Sequence, residues 1–171
     1  VSVSQSNNQY RTVFANTCGS TTSAVAAVTV YTAAAVTTNP VSTNACAGAL
    51  VSLTAAGSGL PAPTLQWQAD SGSGFTNIPG ATSSPLSFTA SVSQSNNQYR
   101  AVFSNTCGST TSGVATLTVN IAPAVTANPP STNVCAGALV SFTAAGNGLP
   151  APALQWQANS GGGFTNIPGA M

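Results

Sequence analysis

Five stretches of the chain alternate apolar with polar residues at a period of two. They are 49–55 (ALVSLTA), 64–69 (TLQWQA), 85–90 (PLSFTA), 98–105 (QYRAVFSN) and 113–120 (GVATLTVN). Each is rich in Val, Thr and aromatic residues, which suit a pleated surface buried on one side. Between them lie clusters of turn formers: GSGLPAP (57–63), DSGSG (70–74), NIPGATSS (77–84), SQSNN (93–97) and NTCGS (105–109). Glycine and proline recur too often to permit long helices. The pattern predicts an all-β fold of short strands and frequent turns, which is the signature of a sandwich.

The pattern then repeats. Shifted by about 89 positions, residues 1–82 align without a gap on residues 90–171, and about 64 of the 82 pairs are identical by direct count. That period is too long for a solenoid repeat and suits one small β-sandwich. The phase of the repeat predicts one complete unit, 33–120. Residues 1–32 read as the last two strands of a preceding unit, and 121–171 as the opening strands of a following one. The chain is therefore cut out of phase with its units. The reading expects either a window on a longer array or a subunit that completes its end domains with neighbours.

Charge narrows the chemistry sharply. Among 171 residues there are two arginines, Arg11 and Arg100, one acid, Asp70, and no lysine or histidine. A charged fraction of 2% compares with about a quarter in ordinary domains. Two arginines do not make the basic surface that nucleic acid requires. A lone carboxylate has no partner for acid–base work, and serine or threonine nucleophiles have no base to activate them. The four cysteines show no CxxC spacing, so neither a zinc site nor any other cofactor is expected. No apolar run approaches a membrane span, and the first residues lack the basic and apolar regions of a signal peptide.

The segment GALVSLTAAGSGLPAPTLQW (48–67) carries a glycine, an alternating strand, a G-x-P-x-P-like turn and a tryptophan. NNQYRAVFSN (96–105) places a tyrosine early in a strand, and GSTTSGVATLTV (108–119) follows as a hairpin partner. Together they resemble the immunoglobulin-like domain, in the form repeated in tandem along large secreted bacterial surface proteins. The resemblance covers the complete unit and both partial ones. It implies that Trp67 and Trp156 sit in the core at the strand C position. It also implies that Tyr10 and Tyr99 tie the corner before strand F, each through its hydroxyl to backbone. Arg100, beside Tyr99, is expected to face away from the core.

The buried bridge usual in such domains joins strands B and F. Its positions here are held by Ala55 and Ala101. The cysteines lie elsewhere: Cys46 and Cys135 before the A–B turn, Cys18 and Cys107 in the F–G hairpin. In the topology that the resemblance implies, Cys46 and Cys107 stand at opposite ends of one unit, beyond the roughly 7 Å that a disulfide spans. A bond from Cys46 to the F–G cysteine of the following unit is one reading. A Cys46–Cys107 bridge within the unit, and free thiols, are the others. Two cysteines per repeat argue for an oxidising, extracellular or cell-surface setting.

The expected function is structural: a segment of an extracellular fibre, stalk or sheath built from head-to-tail copies, with strand complementation between copies as a means of assembly. The competing reading is an adhesin-type module whose loops GSGLPAP and DSGSGF recognise a glycan or a surface receptor.

Overall fold

A computed structural model describes residues 1–171. Its core is a two-layer antiparallel sandwich spanning β5 (Thr32–Thr38) to the first half of β14 (Ala115–Ala127). Between these come β6 (Thr43–Cys46), β7 (Leu50–Leu53), β8 (Ala56–Leu60), β9 (Thr64–Asp70), β10 (Thr76–Asn77), β11 (Leu86–Thr89), β12 (Gln98–Asn105) and β13 (Gly108–Thr111). One layer runs β10–β9–β12–β14, with β13 also on β12 and β6 laid parallel along β14. The other is made of the pairs β7–β11 and β5–β8. The strands predicted at 64–69, 85–90 and 98–105 match β9, β11 and β12 in type and place.

Alternation explains the burial. Along β12, Tyr99, Ala101 and Phe103 point inward; along β14, Ala115, Leu117 and Val119 do; along β7, Val51 and Leu53 do. They close around Trp67, which is fully buried, and its indole nitrogen donates to the Ser83 carbonyl at 3.0 Å. Ala55 and Ala101 both lie in this core, so small side chains occupy the places where a B–F bridge would stand.

Three expectations need correction. The cluster GSGLPAP is not all turn: Ala56–Leu60 forms β8, against β5. A methyl group on Gly57 would lie 2.6 Å from the Phe103 ring, so here glycine lets two layers touch and does not mark a loop. Tyr99 is buried and stacks on Phe88 at 5.2 Å, but its hydroxyl makes no hydrogen bond to backbone and has the Asn97 side chain beside it. Burial nevertheless pushes the hydroxyl pKa up.

The third correction concerns the flanking segments. Residues 1–31 form β1 (Gln9–Tyr10), β2 (Val13–Asn16), β3 (Gly19–Thr22) and β4 (Ala26–Ala27), paired β1–β4 and β2–β3. Residues beyond the sandwich add β15 (Ala145–Leu149), β16 (Gln157–Ala158) and β17 (Thr165–Asn166). Tyr10 is 49% exposed and Trp156 only half-buried, so neither is a core residue like its counterpart Tyr99 or Trp67. The cause is the missing opposite layer: side chains that alternate correctly have nothing to be buried against.

Candidate assembly site at the joint between units

The strand β14 does not end with its own unit. Its first half pairs with β12 and β6; its second half, from Ile121, pairs with β15 in the following segment. The same strand thus closes the central sandwich and pairs with the segment that follows it. The β14–β15 register (Ile121 facing Leu149, Ala124 facing Asn147, Val125 facing Gly146) repeats the β5–β8 register (Thr32 facing Leu60, Ala35 facing Ser58, Val36 facing Gly57) with one-residue bulges at equivalent places. No linker intervenes.

The two ends of the sandwich carry the two kinds of cysteine. Cys46 ends β6 and faces Asn120, the last residue of β14 before the next unit begins. The Ala47 amide donates to the Asn120 carbonyl at 2.8 Å, and the Ala49 amide closes a turn on the Cys46 carbonyl at 3.0 Å. Cys107 lies in the β12–β13 hairpin. Asn105 fixes that hairpin: its Oδ1 accepts from the Cys107 amide at 3.0 Å, while its Nδ2 donates to the carbonyls of Thr32 (2.8 Å) and Pro61 (3.0 Å). The hairpin is therefore tied to the point where the chain enters the unit, and Cys46 to the point where it leaves. All four cysteines are exposed and unbonded in this chain.

Two of the three charged residues, Asp70 and Arg100, are engaged within the central unit. The Asp70 carboxylate accepts from the amides of Gly72 (2.7 Å) and Gly74 (2.9 Å), holding the turn after β9. In the following segment Asn159 makes the same two bonds, at 2.8 and 3.1 Å, so the turn needs an acceptor and not a charge. Arg100 lies on the outer face, as its place beside Tyr99 implies. Its Nε donates to Gln68 Oε1 at 2.7 Å, and its guanidinium sits 3.9 Å from the centre of the Phe75 ring. Sequence reasoning treated Phe75 and Gln68 as ordinary loop and strand residues, because the partner that gives them a role lies 25 or more positions away.

The flanking segments keep the local bonds of the complete unit and lack the long-range ones. Gln155 Nε2 donates to the carbonyls of Trp156 and Ile167, both at 2.9 Å, as Gln66 does to Trp67 and Ile78, both at 2.8 Å. Asn16 Oδ1 accepts from the Cys18 amide at 2.8 Å, like Asn105 with Cys107. What differs is cover. Phe14 is 64% exposed where Phe103 is 4%, and Phe142 is 50% exposed where Leu53 is 3%. A groove of about 460 Å³ opens over the β14–β15 pair, lined by Pro123, Val125, Ala144, Gly146, Pro152 and Leu154. The residues at those places in the central unit are Ala34, Val36, Ala55, Gly57, Pro63 and Leu65, and there the Phe103 ring lies over Gly57.

The comparisons with known proteins agree with this architecture. Residues 35–121 match the family described as a domain of unknown function, DUF8696. The chain belongs to that family. It is 42% identical over 135 residues to Endoglucanase C of Cellulomonas fimi, a match covering 78% of this chain and 12% of that protein. It is 40% identical over 76 residues to the human leucine-rich repeats and immunoglobulin-like domains protein 3, covering 44% of this chain and 6% of that one. The chain thus spans a small fraction of the length of the curated relatives it matches. Among solved structures, extracellular domains 3–5 of Drosophila OTK superpose with a TM-score of 0.52 at 18% identity, covering 96% of this chain and 56% of that one. Titin domains z1z2, solved with telethonin, give 0.50 at 21% identity, covering 71% and 64%. The fold of this DUF8696 chain is an immunoglobulin-like β-sandwich. No helix is long and apolar enough to cross a membrane.

Proposed function

We propose that the chain is a structural segment of an extracellular bacterial fibre, stalk or sheath, made of immunoglobulin-like units joined head to tail. The observation that carries this reading is the unbroken strand β14, which belongs to two successive units. A shared strand sets the angle between units by backbone hydrogen bonds and leaves no flexible residues between them. Near-absence of charge lets such units lie side by side without repulsion. The bacterial and extracellular setting draws on the Cellulomonas relative and on the cysteine content.

In this reading disulfides staple the joints. Cys46 faces Asn120, and the hairpin of a following unit would anchor beside Ile121, as Asn105 anchors beside Thr32. Between copies, Cys46 then meets Cys18 of the next copy, and Cys135 meets its Cys107. Each bond forms by thiol–disulfide exchange, with an oxidised small-molecule disulfide accepting the two electrons and two protons. The loops named for an adhesin give that alternative no support: part of GSGLPAP is strand β8, and the DSGSG turn is held by its own aspartate.

Electron microscopy of assembled material tests the proposal. Thin filaments are expected, with an axial repeat of about 40 Å, the length of about twelve strand residues. Globular particles with no axial repeat would overturn it.

A further inference from the structure

We propose that a cavity between the layers of the central unit, beside Tyr99, is a binding site for a short neutral saccharide. Its lining residues all fall between Ala69 and Tyr99, inside the complete unit, and none belongs to the GSGLPAP or DSGSG loops. The site is independent of the head-to-tail reading. It lies at the side of the sandwich where β10 and β11 are the edge strands of their layers. Its volume is about 570 Å³, within the roughly 300–1,000 Å³ of small-molecule sites.

The walls divide by chemistry. Leu86 and Phe88 from β11, with Ile78 from the loop before it, line the cavity and stay only partly buried although they pack on the core. The corner before β12 supplies polar groups: Gln94, Asn97 and Tyr99. Tyr99 is 3% exposed. A hydroxyl so buried ordinarily finds a firm partner, yet this one makes no bond to backbone and has the Asn97 side chain beside it. Gln94 spends its Oε1 on the Ser91 amide at 2.8 Å, which leaves its Nε2 as a donor for a ligand. Both walls are fixed in advance. The Ile78 amide donates to the Trp67 carbonyl and the Trp67 amide to the Ala81 carbonyl, both at 2.9 Å; the Asn97 amide donates to the Gln94 carbonyl at 3.0 Å. A rigid site loses little freedom on binding. No charged residue lines the cavity, so an ionic ligand would be buried without a partner. A purely apolar ligand would strand the hydroxyl and the amides. A sugar ring meets both demands, with a C–H face for Leu86 and Phe88 and a hydroxyl edge for Tyr99, Asn97 and Gln94.

The test titrates the isotope-labelled full chain with cellobiose, maltose and N,N′-diacetylchitobiose, and with digalacturonate as the charged comparison, reading amide shifts by nuclear magnetic resonance. At least one neutral disaccharide is expected to give saturable shifts at Ala81, Asn97 and Tyr99, and digalacturonate to bind more weakly. Tyr99→Phe keeps the ring and removes the hydroxyl. It is expected to weaken binding about two- to tenfold, the usual worth of one neutral hydrogen bond. Asn97→Ala is expected to do the same with the melting temperature unchanged, which separates lost binding from lost fold. Phe75→Ala, on the outer face under Arg100, is expected to leave binding intact. No saturable shift from any of the three neutral sugars, shifts centred on Phe75, equal binding of digalacturonate, or full binding by either cavity variant would each overturn the site.

Discussion

Gly57 and Phe103 compete for one volume: a Cβ on the glycine would lie 2.6 Å from Cδ1 of the ring. No glycine conformation is involved; the constraint is space alone. Gly57→Ala forces the ring or β8 to move and is expected to cost about 1–3 kcal/mol, the usual range for overpacking. Thermal melting checks this. An unchanged melting temperature would mean that the two layers do not touch there.

The two tryptophans should respond differently. Trp67 is fully buried and bonded to Ser83, so Trp67→Ala is expected to cost about 3–5 kcal/mol. Trp156 occupies the same place in the repeat but is half-buried. In the isolated chain, Trp156→Ala should leave the main unfolding transition in place. Denaturant titration of both variants makes the comparison, and equal losses would refute it.

Ser112 is a buried polar residue with a definite task. Its hydroxyl accepts from the Ala101 amide at 2.9 Å and donates to the Gly113 carbonyl at 2.7 Å, bridging the gap between β13 and β14. Ala101 is fully buried, so Ser112→Ala strands an amide in the core and should cost about 1–3 kcal/mol. Ser112→Thr keeps the hydroxyl and should recover part of the loss in the same melting assay.

Stability should vary little with acid and fall with alkali. Only one side chain is a carboxylate, so protonation below neutrality has little to act on. Burial raises the Tyr99 pKa, against a smaller opposing effect from Asn97. A raised folded-state pKa favours the neutral hydroxyl. Its contribution is complete below the unfolded value of about 10 and is lost as pH climbs through the folded value. Urea midpoints measured across pH should show that alkaline limb, and Tyr99→Phe should flatten it. An unaltered limb in the variant would assign it to another group.

Strands whose alternation includes large residues were legible in the sequence. TLQWQA and QYRAVFSN each place an aromatic on the inner face and became β9 and β12. Two of the strands that went unread, β5 (TAAAVTT) and β6 (TNAC), are rich in alanine and threonine with little contrast between their faces. Their pairing is set by neighbours far along the chain. The repeat gives the sharpest lesson. ALVS at 49–52 is largely in strand β7, yet the identical ALVS at 138–141 forms none. Pattern states what a segment is able to pair with, and β11, the partner of β7, has no counterpart against 138–141. The candidate site was half-visible for the same reason: cysteine positions could be read, whereas the Phe103–Gly57 contact between the layers joins residues 46 positions apart.

The parallel pairing of β6 with β14 has a mechanical consequence. The chain enters the central unit near Thr32 and leaves it at Asn120, so a pull along the axis draws β6 and β14 in opposite directions along their length. The ladder from Leu117–Thr43 to Asn120–Cys46 is then loaded as a whole, sideways to its hydrogen bonds. It cannot open one rung at a time like a zipper. Because β14 runs on into the next unit, tension passes to that unit through the same strand, and no joint between them stretches first.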